Sequence, residues 1–417
     1  MAAGLGKGYW LLWSSSVLAN LGDGMRLVAL PLLAYSISED PLDISLVTLF
    51  SFLPGMVLGP LVGVLVDRFD RRRVVALADA LRSLPILLFA LVVCAGEVRL
   101  LHVYVLAAVL PVLELLEDSA ARPLMAELLP ERALERGNAR LGSARMVAQD
   151  VLGSPAAGFL MAVSASLPFF VNGATFVGAT ILVLLVKRRP RSAGGDVSPA
   201  AGNGVRGKSV RAELSEGFAI IRGTPLLRAI ALTSAVVNFV HVAGFSLLVV
   251  YAKENLHLRN EEYAFLFTAM VAGGVLSGWL VPRLTSRWGT RRTMVAALTA
   301  LGLARGGLGS AVGLYSSLTA FFAMGAAMFT YNVAVTSYQQ RVTPTAHLGR
   351  VYATTQAVSS GAVVIAALAG GALAQFTGVR AVMLTGGLAI VVSALICGWA
   401  TRRETGHRSA LSHTGIS

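Results

Sequence analysis

Residues 55–73 read GMVLGPLVGVLVDRFDRRR. The first twelve residues carry no charge, and the last seven carry two acids and four arginines. The same alternation of apolar run and basic cluster continues outward in both directions. Further apolar runs lie at 9–36, 43–66, 74–95, 100–121, 139–163 and 167–187, then at 226–251, 262–283, 293–313, 315–339, 351–375 and 379–401. A helix needs about 20 mostly apolar residues to cross the hydrocarbon core, and each run meets that length. Of the 417 residues, 55% are hydrophobic and only 14% charged, against about 25% charged in a soluble domain. Such a chain cannot cover itself with a polar surface. The pattern predicts an all-α membrane protein with twelve transmembrane helices.

The formal net charge of +13 does not point to nucleic acid, because the basic residues sit in short clusters between apolar runs. Clusters at Lys7, Arg68–Arg73, Arg132–Arg140, Lys187–Arg191, Arg283–Arg292, Arg341, Arg350 and Arg402–Arg403 fall on one side. That side holds about 24 Lys and Arg and the other about 4, which orients the first side and both termini toward the cytoplasm. Cys94 and Cys397 lie inside apolar runs and form neither a disulfide framework nor a metal-ligand spacing. The run from Tyr9 reads as an uncleaved first helix. A bias toward Ala, Gly, Val and Arg suggests a bacterial source and hence the cytoplasmic membrane.

Residues 188–211 are rich in Arg, Gly, Ser and Pro and lie midway, as a cytoplasmic linker. Residues 212–221 read as a short amphipathic helix. On either side, weak similarity appears at an offset near 214–218: Asn20 and Asp23 align with Asn238 and His241, and Glu117-Asp118 with Tyr331-Asn332. The predicted organisation is a six-helix bundle at 1–187, the linker, a pseudo-symmetric six-helix bundle at 212–403 and a tail at 404–417. Two parallel repeats of this kind place a substrate path between them. Gly202 to Ser209 satisfies the pattern G-x-x-x-x-G-K-[ST], but that loop works only between a strand and a helix of an α/β domain. No nucleotide is expected to bind there.

The stretch Gly63-Val-Leu-Val-Asp67-Arg68-Phe-Asp70-Arg71-Arg72-Arg73 resembles the loop signature G-x-L-a-D-r-x-G-r-[KR] of the major facilitator superfamily, with Asp70 in place of its glycine. The D-R-x-D-R-R form looks like the branch containing the enterobactin exporter and macrolide efflux proteins. Asn20-Leu-Gly-Asp23 and Gly349-Arg350-Val351-Tyr352 are similar to that branch as well. The resemblance implies a conformational latch of Gly63, Asp67, Arg68, Arg71 and Arg72. In it Asp67 meets the start of helix 11, where a helix N-terminus favours negative charge. It also implies that Arg71 pairs with an acid on helix 4, a role for which Asp118 is placed. The glycine stripe Gly55/Gly59/Gly63 would let helix 2 approach a neighbour closely. The run Asp150-Val-Leu-Gly153-Ser154-Pro155-Ala-Ala-Gly158 partly resembles the antiporter signature G-P-x-x-G-G, matching at Pro155 and Gly158. A proline kink in an ordinary packed helix reads equally well.

Ionisable groups inside a membrane are costly and mark function by default. Asp23 lies about 21 Å along helix 1 from Tyr9, near mid-membrane, with Arg26 one turn on. The two form either a structural i,i+3 pair or a proton site. Glu114, Glu117 and Asp118 share one face of helix 4, with Arg145 of helix 5 as their expected partner. Asp23, Arg26, Glu114 and Glu117 are the expected proton-coupling residues, and Arg145 joins Asp118 in the latch. Asn20, Asn238, His241, Tyr331, Asn332 and Gln356 are polar groups expected along the substrate pathway. A lone membrane histidine also serves as a packing residue. The expected function is that of a monomeric transporter, not an enzyme. It needs no cofactor or metal and is driven by the proton gradient. It exports a fairly apolar small molecule such as an antibiotic, a siderophore or a secondary metabolite. A nutrient symporter and a non-transporting sensor are the rival readings.

Overall fold

Inside hydrocarbon every backbone N–H must be bonded within its own segment, and each apolar run meets that demand by becoming a helix. The computed structural model describes residues 5–66, 68–187, 218–343 and 348–413, with backbone alone at 60, 63–65, 348–353, 356–360 and 402–413. The helices are α1 (Lys7–Ile37), α2 (Pro41–Val66), α3 (Arg71–Cys94) and α4 (Leu100–Leu128). Next, α5 runs Leu134–Met146, passes through a π-helical turn at Val147–Gly153 and ends as Ser154–Val163; α6 is Leu167–Leu184. After a gap come α7 (Pro225–Ser246, prolonged by Leu248–Val250 and a π turn at Tyr251–Asn255), α8 (Asn260–Trp288) and α9 (Thr290–Gly309). The last are α10 (Leu314–Val342), α11 (Leu348–Thr377) and α12 (Val379–His413).

Ten helices among the described residues are long and apolar enough to cross a membrane. α9 falls outside that set; it carries Arg291, Arg292 and Arg305. In α11 only Gly361–Thr377 registers as apolar. The helix α4 passes its predicted end at 121 and continues through Pro123 to Leu128. The expected linker at 188–211 and Asp67 lie outside the described residues, as does most of the expected amphipathic helix; residues 218–223 are helical.

α1 packs on α5 and α6, α3 on α4 and α6, and α2 on α4. Beyond the gap, α8 packs on α10, α9 on α10 and α12, and α7 on α11 and α12. Contacts between these two sets run mainly through α2 with α11 and α5 with α8. The α1–α5 crossing is the tightest in the first set. A Cβ on Gly24 would strike the carbonyl of Gln149, and one on Gly153 would come within 3.0 Å of Gly24 Cα. Small residues of this kind let membrane helices meet backbone to backbone. The π turn sits at this crossing. Pro155 has no N–H to give, and the Ser154 hydroxyl donates to the Gln149 carbonyl at 3.2 Å.

Gly55 and Gly59 of the α2 stripe do not act as expected. A Cβ on Gly55 would meet nothing within 4 Å, and one on Gly59 only Leu115 at 3.6 Å. The first two glycines of the stripe therefore bring no backbone close.

Candidate functional site

The apolar segments α1, α3, α4 and α5 bring their charged residues together in one buried network. Arg82 is its centre. It lies about 16 Å of helix rise beyond the start of α3 and its side chain is 0% exposed. It bonds both carboxylate oxygens of Asp23, and its Nη1 donates to Glu117 Oε2 at 2.7 Å. The guanidinium lies 4.1 Å from the centre of the Phe176 ring of α6, a cation–π contact in a desolvated place.

From Arg82 the network extends toward the surface. Arg26 Nη2 donates to Asp23 Oδ1 at 3.3 Å and to Glu114 Oε2 at 2.9 Å. Arg145 Nη2 reaches Glu114 Oε1 at 3.4 Å, and its Nη1 bonds Asp118 at 3.0 and 3.1 Å. Side-chain exposure falls stepwise, from 35% at Arg145 and Asp118 through 23% at Glu114 and 13% at Arg26 to 0% at Arg82. Asp79, one turn before Arg82, is also 0% exposed and stands 3.9 Å from Arg82 Nη1. The sum is five carboxyls against three guanidiniums.

The expected i,i+3 pair of Asp23 and Arg26 is present; Arg145 is the partner of Glu114 and Asp118, but Glu117 pairs with Arg82 instead. Asp79 and Arg82 were missed by sequence reading. Two charged residues at i,i+3 inside the apolar run of α3 were the available signal, by the rule that singled out Asp23.

The residues of the expected latch are divided. Arg71 pairs with Glu127 at 2.6 Å rather than with Asp118, because α4 continues past its expected end and carries Glu127 there. Arg72 donates to the carbonyls of Val183, at 3.1 Å, and Leu184 of α6. Arg68 is exposed. Asp70 caps α3, accepting from the backbone N–H groups of Arg72 at 3.0 Å and Arg73 at 3.3 Å, which accounts for an acid where the family signature has glycine. Gly63 and Asp67 lie outside the residues described to the side chain.

In α5, Asp150 forms no ion pair among the described residues, but its carbonyl accepts from Thr268 of α8 at 3.3 Å. Gly158 faces α8 so closely that a Cβ would lie 2.7 Å from the Asn260 carbonyl. Thus α5 touches α1 on one side and α8 on the other. The same end of the molecule carries a second tie, where Gln375 of α11 donates to Asp40 at 2.7 and 3.0 Å. At the opposite end, the described side-chain bonds of Tyr9, Arg71, Arg72 and Arg291 stay within one set of helices.

The expected pathway residues that are described make local contacts. Asn20 donates to the Ser16 carbonyl at 2.7 Å and Asn238 to the Ser234 carbonyl at 2.9 Å. Tyr331 is buried, with its hydroxyl 3.0 Å from that of Ser234, whereas Asn332 is exposed. His241 stacks on Phe245 with ring centres 6.1 Å apart. The Gln356 side chain lies outside the described residues. Arg305 of α9 is buried and donates to the Val240 carbonyl at 3.1 Å, filling the space a side chain on Gly244 would need. No acid pairs with it among the described residues.

The chain is similar to known proteins in sequence and in fold. The family model of the Major Facilitator Superfamily matches residues 12–356 and 232–415. Macrolide efflux protein A of Streptococcus pyogenes is 23% identical over 402 residues, covering 93% of this chain and 95% of that protein. The multidrug efflux pump Tap of Mycolicibacterium fortuitum is 29% identical over 304 residues, 70% of this chain and 71% of its own. The crystal structure of a bacterial homologue of the iron transporter ferroportin, in an inward-facing state, aligns with a TM-score of 0.74 at 17% identity. It covers 95% of this chain and 100% of its own, a likeness of fold alone. The chain therefore belongs to the major facilitator superfamily, as a multi-pass membrane transporter of small molecules with efflux pumps among its relatives.

Proposed function

We propose that the protein is a proton-coupled antiporter that exports a fairly apolar small molecule across the bacterial cytoplasmic membrane. All of α1–α12 cross the bilayer. Residues 1–187 and 212–403 form two six-helix bundles, joined by the cytoplasmic linker 188–211, and both termini are cytoplasmic. The bundles rock about a central path, and the protein works as a monomer without a cofactor. The observation that carries this reading is the buried network of five carboxyls and three guanidiniums on α1, α3, α4 and α5. A static core gains little from so many desolvated charges, since apolar residues of similar volume serve stability as well or better. Charged groups inside a membrane bundle mark ion and proton paths.

Position supports the reading too. α5 is bonded to the network through Arg145 and to the opposite bundle through Thr268, so movement of one bundle is felt at the charges. Among the described residues, the side-chain ties between bundles lie at the end opposite the basic loops, which is the outer end in the proposed orientation. The central path then opens inward. Asp67 and Arg68 form the latch with α11 when the inner end closes. The direction of transport is supported by relatives that are efflux pumps.

Inverted membrane vesicles loaded through an imposed proton gradient test the proposal, with a macrolide as the first probe. Wild type should accumulate the substrate. Asp23→Asn should lose that accumulation while still binding substrate, because Arg82 and Arg26 lose a shared anion. Full gradient-driven export by Asp23→Asn would remove Asp23 from the coupling machinery.

A further inference from the structure

We propose that Asp79 is the proton-carrying carboxyl of the network, a deeper form of the antiport reading on which its transport role rests. Four of the five acids are hydrogen-bonded to a guanidinium: Asp23 to Arg82 and Arg26, Glu117 to Arg82, Glu114 to Arg26 and Arg145, and Asp118 to Arg145. Asp79 alone is not. Among the described residues, both of its carboxyl oxygens are buried without a hydrogen-bond partner. The charged groups facing it are Arg82 on its own helix, Asp23 from α1 and Glu117 from α4. From α6 the neighbour of Arg82 is the Phe176 ring. An unpaired carboxylate in such a place carries a desolvation cost that a single bound proton removes. Asp79 therefore holds its proton in this conformation.

The geometry also supplies the means of release. Arg82 Nη1 stands 3.9 Å from Asp79 Oδ1, about 1 Å beyond a charge-assisted hydrogen bond. Arg82 is already committed to Asp23 and Glu117. When α1 shifts against α3 within the bundle, while the inner end is open, and draws Asp23 away, Arg82 is freed to bond Asp79. The O–H bond of Asp79 then breaks, its electron pair stays on the carboxylate, and the proton passes to water at the inner end. Once the outer end has opened, Arg82 returns to Asp23 and Asp79 takes a proton from the outer side. Release makes the network more negative by one charge, and Arg82 offsets that charge by bonding the new carboxylate. The stepwise fall in exposure from Arg145 and Asp118 through Glu114 to Arg26 marks the polar route by which the proton travels.

Infrared spectroscopy of the full chain in proteoliposomes tests the resident proton without reference to any substrate. Wild type should show the carbonyl band of a protonated carboxylic acid, shifted in D2O, and Asp79→Asn should lack it. A band unchanged in Asp79→Asn, or no such band in wild type, overturns the proposal. The transport arm uses a macrolide in the same vesicles. Asp79→Asn, a neutral isostere, should lose gradient-driven export yet keep exchange of labelled for unlabelled substrate without a gradient. Coupled export by Asp79→Asn also overturns the proposal. Proton-independent export by wild type overturns the antiport reading instead, and the infrared band still decides whether Asp79 holds a proton. Should Asp79→Asn not fold, the loss of the band in Asp23→Asn, where Arg82 is released onto Asp79, is the expected result; its persistence there is the overturning one.

Discussion

The two sets of helices answer the same positions with opposite chemistry. In α1, Ser16, Asn20 and Asp23 are spaced as Ser234, Asn238 and His241 are in α7, and each asparagine bonds the carbonyl of its serine. From the neighbouring α3, Arg82 reaches Asp23; from α9, Arg305 reaches the Val240 carbonyl beside His241. In the first half the arginine meets three acids, and in the second a backbone oxygen. Position 26 is an arginine that joins the network, while its counterpart, Gly244, leaves the room that the Arg305 guanidinium fills. One backbone plan has thus been furnished once as a charge relay and once as a polar but nearly acid-free frame. A transporter with this asymmetry can confine proton chemistry to one half and leave the other free to shape the substrate path.

The sharpest way to break the comparison is to remove each arginine in turn. Arg82→Met should be the most damaging change. It strips Glu117 of its hydrogen-bonded guanidinium and leaves Asp23 to Arg26 alone, in a site that is closed to water. Breaking a buried pair by removing one partner costs about 3–5 kcal/mol. Thermal unfolding in detergent should show a clear drop in midpoint, and gradient-driven export should vanish. A midpoint equal to wild type would mean that the network is already neutralised by protons.

How far the sequence carried this picture depends on what each feature needs. Helices needed only apolar length, and most ends were close to their predicted places. The end of α4 was not: the apolar run stops at 121, but the helix continues through Pro123, as a membrane helix can when its neighbours repair the backbone. The family resemblance assigned Asp118 to Arg71, whereas Glu127, carried on the extra turns, takes Arg71. Asp23, Arg26, Glu114, Glu117, Asp118 and Arg145 were legible because charge in an apolar run is conspicuous. Asp79 and Arg82 obeyed the same rule inside the run 74–95 and were passed over. The π turn of α5 was not legible. It depends on a hydroxyl of Ser154 and a backbone crossing with Gly24, which belong to the tertiary structure.

Arg305→Met is the matching change in the second half and should have a much smaller effect. Its guanidinium serves one carbonyl that already lies within a helix, and no acid is left behind when it goes. Replacing a buried charge by an apolar side chain of similar volume is often neutral or stabilising, so a change within about 1 kcal/mol is expected. The same unfolding measurement checks it. A loss as large as that of Arg82→Met would show that Arg305 holds an anion essential to the fold, and the contrast between the halves would fail.

The smallest expected effect lies where the halves meet. Asp40, beside the charged half, accepts from Gln375 of the neutral half at 2.7 and 3.0 Å, and both residues are exposed. An exposed hydrogen bond to a carboxylate contributes no more than about 1 kcal/mol. Because it joins the bundles rather than stabilising either one, Asp40→Ala should leave the unfolding midpoint unchanged and shift only the balance between conformations. About 1 kcal/mol corresponds to roughly a fivefold change in that balance. A single cysteine placed at Thr377, which leaves the Gln375–Asp40 bond in place, reports it in a background with Cys94 and Cys397 replaced by serine. Its labelling by a membrane-impermeant thiol reagent from the outer side should rise when Asp40→Ala is added, because the outer end opens more often. Bulky substrate analogues that hold the inner end open should reverse the rise. Equal labelling with and without Asp40 would place the closure of the outer end on the apolar and backbone contacts of α2 with α11 and of α5 with α8, with the polar tie as a bystander.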